Sequence, residues 1–469
     1  MAKLIKCMHM FTYRNTNYLF NGENLRIFTL SDDEKDCILQ AKRNNGIFSD
    51  IDNNNALFQK LNEEGFFTDP ENVLPVDFPK EETANLPITC IELEVANDCN
   101  MRCKYCYSED GSYGCGKDWM TENTAKKCID FLFDHCGGQN NLSIVFFGGE
   151  PLLNFPVIKA ATIYANDKAQ KCGKNIIYSM TTNATLMTDE IIEYLNQNNV
   201  SVTVSIDGPK SVHDKYRVFA NGKGSYEVVS KQLNRFFNKY QGSPRARATV
   251  SNNCLDLVSL ENHFDKMGFE KSTLSLVDTD QTSEMYIPSD SFNSIFQGLE
   301  NLADKFIDQL CRGDITSNTT FDSCIGSLYA KIPRKKPCGA GTACIAFTAS
   351  GNIYPCHRFS NLDSYFLGNC YDGWIGSARD LFLNFDVNKR SICQNCYMKK
   401  ICGGTCLHTA AINTGSINTP STHYCPVYKK ILELCIYIYD KSKEKDENIF
   451  DKRFATYSQA LEKFLGNND

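Results

Sequence analysis

The sequence predicts an α/β fold built on a parallel sheet, and three observations predict it. Six strand-like runs alternate with helical stretches between Ile88 and Val277, the pattern of strand–helix–strand units with helices outside a sheet. The first 67 residues follow a different pattern of short strands and two helices. Beyond Cys338 regular periodicity largely disappears, and Cys and Gly become frequent. The six units suit either a doubly wound sheet or a barrel; they fall short of an eight-fold closure, so a barrel would be incomplete and laterally open.

The elements follow in order. Residues 18–28 read as two short strands about the Asn21-Gly22 turn. Ser31-Asp-Asp-Glu34 opens a helix with a capping-box pattern, and a second helix is expected over 54–64 before Gly65. Residues 1–67 thus form a small autonomous module of winged-helix-like composition. Such modules often bind DNA, but residues 1–80 carry 9 Lys/Arg against 12 Asp/Glu, a net of −3, and phosphate binding needs the opposite sign. Pro70, Pro75, Pro79 and Pro87 punctuate an extended linker over 68–87.

The barrel region, 88–310, holds the strands 88–95, 143–147, 176–181, 200–206, 245–250 and 272–277. Helices are expected over 122–136, 156–172, 189–197, 226–240, 255–267 and near 291–310. A bridging region, 311–337, leads to an irregular domain, 338–440, with a helix near 427–439. A charged helix over 441–469 completes the prediction.

Composition bounds the function. The 469 residues, enough for two to four domains, are 42% hydrophobic and 22% charged with net charge −7, ordinary for a globular chain and unsuited to a dedicated nucleic-acid binder. No signal peptide and no run of 18 apolar residues occurs, so no membrane partner is expected. The 23 Cys are the unusual number. In a long chain of odd Cys count, a reducing cytoplasm is the simplest compartment, where clustered Cys bind metal or do chemistry. Unclustered ones are read as small core residues.

The strongest motif is Cys99-Asn-Met-Arg-Cys103-Lys-Tyr-Cys106, directly after the first barrel strand, where a barrel builds its active site. Three thiolates can wrap one corner of a [4Fe–4S] cube and leave one iron without a protein ligand. Three core or zinc cysteines are the alternative. This spacing, with Tyr105 before the third Cys, resembles the cluster motif of radical S-adenosylmethionine enzymes. Gly148-Gly149-Glu150-Pro151 after the second strand looks like that family's GGE motif. Glycines admit a close ligand, and the carboxylate suits a cofactor amino group. The resemblance further implies cofactor contacts from Thr182 and Asn183 after the third strand and Ser205 at the end of the fourth, with Arg217 pairing with the methionine carboxylate. Singly, Thr182-Asn183 equally suits a helix cap and Asp207-Gly208 a turn.

The C-terminal third carries Cys338-x5-Cys344, Gly351-x4-Cys356, Cys393-x2-Cys396-x5-Cys402-x3-Cys406 and Cys425. It looks like the SPASM domain of peptide-modifying radical enzymes. By that resemblance Cys338, Cys344, Cys356 and Cys406 hold one auxiliary [4Fe–4S] cluster and Cys393, Cys396, Cys402 and Cys425 another, three clusters in all. Zinc on Cys393, Cys396, Cys402 and Cys406 is the alternative, belonging to a non-catalytic scaffold. The other twelve Cys default to the core. His357 directly follows a ligand position. Sulfatase-maturing members commonly carry an Asp there as base; His357 departs from them while remaining able to shuttle protons.

Taken together, the resemblance implies an α/β fold with an incomplete (β/α)6 TIM-like barrel, a winged-helix-like N-terminal module and a C-terminal irregular Fe–S (SPASM) domain. It implies an oxidoreductase using S-adenosylmethionine and three [4Fe–4S] clusters. Its N-terminal module would bind the leader of a ribosomally made precursor peptide by strand addition. The expected product is a thioether crosslink between Cys sulfur and a backbone or side-chain carbon. Sulfatase-type maturation and carbon–carbon crosslinking are the alternatives. A reducing partner such as flavodoxin or ferredoxin is implied.

Overall fold

The computed structural model describes residues 3–48, 56–67, 86–114, 116–314, 319–360, 362–451 and 453–454. The expected linker over 68–85 and the tail over 455–469 lie outside the described residues.

The N-terminal module is a three-stranded antiparallel sheet, β1 (Met8–Tyr13), β2 (Thr16–Asn21) and β3 (Ile27–Leu30), with helices α1 (Asp32–Arg43) and α2 (Ala56–Glu63). Ser31 and Glu34 cap α1 reciprocally as the capping box requires. One strand more forms than the sequence pattern indicated, because β1 and β2 are joined by a tight turn in which Arg14 (φ 47°) and Asn15 (φ 64°) both adopt left-handed backbone. That turn carries no Gly to announce it. Nor is the module autonomous. Leu19 packs into its own small core with Ile38, Leu61 and Phe66, whereas its neighbours Tyr18 and Phe20 point the other way into the main core.

The main sheet contains β4 (Cys90–Asn97), β5 (Asp118–Trp119), β6 (Asn141–Gly148), β7 (Asn175–Thr182), β8 (Ser201–Ser205), β9 (Arg245–Val250) and β10 (Lys271–Leu276). Six of these, in the order β10-β9-β8-β7-β6-β4, run parallel, which is the predicted set of barrel strands in sequence order. Helices α3 (Glu122–His135), α4 (Phe155–Cys172), α5 (Asp189–Gln197), α6 (Lys210–Tyr216), α7 (Tyr226–Lys239), α8 (Leu257–Met267) and α9 (Phe292–Arg312) follow the strands. The short α6 and a helix in the bridging region, α10 (Thr319–Ala330), were not legible. The first is two turns long, and the second is a run of Thr, Ser, Cys and Gly with poor periodicity.

The C-terminal region adds β11 (Cys344–Phe347), β12 (Asn352–Tyr354), β13 (Gly368–Asn369) and β14 (Gly373–Trp374), then α11 (Ala378–Leu383), α12 (Lys399–Cys402), α13 (Leu407–Thr414) and α14 (Cys425–Lys445). β11 pairs parallel with β4, Cys344 opposite Cys90, so the C-terminal region extends the barrel sheet itself rather than forming a separate layer. α14 is longer than expected and reaches Lys445 before capping at Asp446. It packs against α9, and both receive the N-terminal module. Arg14 grips Asp304 of α9 through two nitrogens at 2.6 and 2.5 Å, Tyr18 donates to Asp440 at 2.9 Å, and His9 stacks on Tyr397 at 4.0 Å. Among the described residues no helix is long and apolar enough to cross a membrane.

Candidate active site

The site begins where β4 ends. Asp98 turns the chain by accepting from the Cys99 amide at 2.8 Å, and its carbonyl accepts from the Glu150 amide at 2.9 Å while Ala96 accepts from Gly149 at 2.8 Å. The loops after β4 and β6 are thereby laced together. The lacing is why two glycines stand there: a Cβ on Gly149 would lie 2.2 Å from the Asp98 carbonyl, and one on Gly148, whose φ is 128°, 2.4 Å from that of Ala96. The far side of the Cys loop is clamped to the segment after α6, with Arg102 donating to Val218 at 2.7 Å and Lys104 to Tyr216 at 3.0 Å.

All twelve residues singled out around the first motif line one cavity of about 230 Å³: Cys99, Cys103, Cys106 and Tyr105; Gly148, Gly149 and Glu150; Thr182 and Asn183; Ser205; Arg217; and His357. They come from the carboxyl ends of β4, β6, β7 and β8 and from the C-terminal region, so the cavity is the mouth of the open barrel.

Glu150 is buried and fully engaged. It accepts from Thr182 Oγ1 at 2.7 Å, the Asn183 amide at 2.7 Å and the Leu152 amide at 3.1 Å. Burial nonetheless outweighs those donors and holds its carboxyl above the ordinary range, so a cationic ligand group is the partner it lacks. Arg217 does not stand free. Its Nη1 donates to the Tyr105 hydroxyl at 2.7 Å, Tyr105 donates to Asp207 at 2.5 Å, and Asp207 also accepts from the Thr249 amide at 3.0 Å. Asp207 is thus more than a turn residue: it anchors the Tyr105 that stands beside the third Cys. The buried Nε of Arg217 has no partner, which leaves it a donor for an anionic ligand group.

The three cysteines are half-buried, and desolvation acts on two of their thiols. Burial pushes Cys99 up to about 12, with the nearby Glu150 charge adding to it, and burial likewise raises Cys103 against the opposing Arg217 charge. A metal would take them as thiolates and release the protons. Three soft donors, a cationic-group acceptor in Glu150 and an anionic-group donor in Arg217 fit an iron–sulfur cube with a zwitterionic amino-acid ligand on its open corner.

The thiols of the C-terminal third fall into two groups. Cys338, Cys356 and Cys406 lie within charge-interaction range of one another, and Cys344 interacts with Cys356. Cys393, Cys396, Cys402 and Cys425 form the second group. Cys406 borders the second group as well, because it and Cys402 both act on Arg390 and Tyr428. Among the described residues no three His, Cys, Asp or Glu side chains are placed to hold a single metal ion.

Several residues here were invisible in sequence. Alternate residues of β4 reach toward the C-terminal region, Cys90 and Glu92 among the first thiol group and Glu94 to Ser360. Cys90 lies 3.2 Å from the Cys344 sulfur, Glu92 accepts from the His357 amide at 2.7 Å and contacts its Nδ1 at 2.8 Å, and Ser360 donates to Glu94. His357 is therefore held in place, stacked 4.1 Å from Phe147, rather than loose in the cavity. Burial works against ionising Glu92, but the His357 charge and hydrogen bonds outweigh it and keep the carboxyl below its usual range. Cys37, Cys172 and Cys311 are exposed, and their core assignment fails; Cys128, Cys324, Cys370 and Cys435 are buried as core residues. Cys254 is half-buried.

Comparison with known proteins places relatives beside this chain. Residues 93–242 match the radical SAM superfamily. The chain is 24% identical over 368 residues to the cysteine-type anaerobic sulfatase-maturating enzyme of Clostridium perfringens strain 13, covering 74% of this chain and 96% of the relative. It is 26% identical over 393 residues to the radical SAM cyclopropyl synthase TigE of Paramaledivibacter caminithermalis, covering 77% and 75%. Among solved structures, anSMEcpe with bound AdoMet superposes with TM-score 0.64 at 19% identity over 76% of this chain and 99% of that one. Streptococcus suis SuiB bound to the precursor peptide SuiA superposes with TM-score 0.52 at 15% identity over 89% and 98%.

Proposed function

Starting from a chain that is a radical SAM enzyme by its residues 93–242, we propose that it installs thioether crosslinks in a ribosomally made precursor peptide. The observation that carries the reading is the shared wall of the cavity. His357 and Arg358, directly after Cys356, line the same space as Cys99, Cys103 and Cys106, and Arg358 Nη1 lies 3.8 Å from the Cys406 sulfur. The first thiol group of the C-terminal third thus borders the place where a substrate carbon would react.

When bound, a [4Fe–4S] cluster with S-adenosylmethionine supplies a 5′-deoxyadenosyl radical able to take hydrogen from an unactivated carbon, and auxiliary clusters supply an electron sink and a thiolate site. The chain's own residues do the positioning. Cys99, Cys103 and Cys106 would hold the first cluster. Glu150 would receive the cofactor's amino group, Ser205 and Arg217 its carboxylate, and Thr182 and Asn183 would fix the Glu150 carboxylate that does so. Cys338, Cys344, Cys356 and Cys406 would hold one auxiliary cluster and Cys393, Cys396, Cys402 and Cys425 the other. His357, aligned by Glu92, is placed to move a proton at its ring beside the substrate.

Substrate class follows from the N-terminal module. No strand among the described residues pairs with the outer edge of β3, and a leader added there would need little side-chain readout. Because the module is docked on α9 and α14, a bound leader holds the core peptide at high local concentration near the cavity. The peptide seen on SuiB and the peptides bound by anSMEcpe support a peptide substrate. A flavodoxin- or ferredoxin-type donor would deliver the electrons.

A sulfatase-type conversion is the second reading, favoured by likeness over 96% of the Clostridium perfringens enzyme. Mass spectrometry of a Cys-containing precursor incubated with reconstituted enzyme, S-adenosylmethionine and dithionite separates the two. A crosslink removes two hydrogens and keeps the sulfur; formylglycine formation loses the sulfur. Loss of two hydrogens with the thiol blocked is expected. Unchanged peptide mass with deoxyadenosine formed would overturn the thioether reading.

A further inference from the structure

A second cavity, of about 290 Å³, lies behind the first between β10, α9 and α14. Its wall is mostly apolar, with Leu274, Ile295, Leu299 and Val427. The two cavities share a waist, because Arg247, Ser275, Leu276, Asp278 and Arg358 line both.

The charges of that waist do not balance. Asp278 is its one acid, and it is already taken: Arg358 Nη2 contacts it at 3.3 Å and Thr409 Oγ1 donates to it at 2.5 Å. Arg358 is further fixed by its guanidinium carbon 5.0 Å from the Tyr107 ring centre, yet its buried Nε has no acceptor. Arg247 is exposed on the face of β9 opposite the buried Ala246 and Ala248; its carbonyl accepts from the Ile206 amide at 3.0 Å, while its side chain has no hydrogen-bond or ion-pair partner among the described residues. With Arg358 held by Asp278 and facing the Cys406 sulfur at 3.8 Å, Arg247 is the uncommitted positive charge beside a mostly apolar chamber, an arrangement that suits one carboxylate carried on an otherwise uncharged chain.

We propose that Arg247 and Arg358 form an anion subsite that takes a carboxylate of the peptide substrate, an Asp or Glu side chain or a chain end, at the waist between the cofactor cavity and the apolar chamber. The cofactor's own carboxylate is a different ligand, assigned to Ser205 and Arg217; Ser205 is the register neighbour of Arg247 on β8, so the two anion sites adjoin. The inference rests on the peptide-maturase reading for the identity of the ligand, but its test reads binding rather than turnover.

The test uses the reconstituted full chain loaded with S-adenosylmethionine and two capped probe pentapeptides, Ala-Ala-Glu-Ala-Ala and its Gln counterpart, titrated calorimetrically. The Glu probe is expected to bind about tenfold more tightly, the scale of one charge-assisted hydrogen bond, and Arg247→Gln is expected to erase that preference while leaving cofactor affinity unchanged. Equal affinity for the probes, or binding of neither at millimolar concentration, overturns the subsite. A fall in cofactor affinity in Arg247→Gln overturns it as well, because Arg247 would then serve the cofactor. Failure of precursor modification with the Glu preference intact would count against the maturase reading alone.

Discussion

Cys103→Ala is expected to abolish formation of 5′-deoxyadenosine from S-adenosylmethionine, by at least about a thousandfold, in a chain that remains folded. Cys103 lies in the common cavity with Cys99 and Cys106. With one thiol gone, two ligands cannot hold the cube with a single vacant corner. The substitution spares the frame of the loop, because the Arg102–Val218 and Lys104–Tyr216 hydrogen bonds are made by backbone. Iron content should fall by about a third if two auxiliary clusters persist, with circular dichroism unchanged. Deoxyadenosine formation near the wild-type rate would show that these cysteines do not hold the reacting centre.

Removing iron from the whole chain should have the largest effect on stability, and a local one. The C-terminal region has short strands and helices, and a modest apolar cluster of its own around Phe359, Phe382 and Phe385. Its thiols are contributed by segments from 338 to 425, so each cluster would staple distant pieces of chain. Arg390, itself buried, donates to the Ile417 carbonyl and faces the Cys393 and Cys402 thiols, so its charge is set against the second thiol group. The barrel depends on a different core, in which Ile91, Leu93, Ile144 and Val204 are fully or almost fully buried. Anaerobic chelation should therefore strip amide-exchange protection from 338–425 while β6, β7 and β8 stay protected. Uniform loss across the chain, or no loss anywhere, would show that the thiol groups are not structural metal sites.

What could be read from the sequence was what depends on neighbours along the chain. The barrel strands announced themselves by apolar runs after turn signals, the Cys loop by spacing, and α1 by Ser31 and Glu34. Every cavity residue named in advance does reach the same cavity, because the fold delivers strand ends to one place. Features that depend on pairs far apart in sequence stayed hidden. Glu92 and His357 are separated by the whole barrel, and nothing local marks a buried Glu on β4 as the anchor of a histidine. Cys90 was one unclustered thiol among many until β11 came to lie beside β4. The Tyr105–Asp207–Arg217 chain joins three segments through side chains alone. β1 was missed for a local reason, a turn built from Arg14 and Asn15 instead of glycine.

The central claim is that the cluster held by Cys99, Cys103 and Cys106 keeps one iron open for S-adenosylmethionine. Electron paramagnetic resonance of the dithionite-reduced, reconstituted chain tests it most directly. Addition of S-adenosylmethionine should change the g-values of one reduced cluster, and Cys103→Ala should lack both that signal and its response. A wild-type spectrum that is identical with and without S-adenosylmethionine would contradict the account.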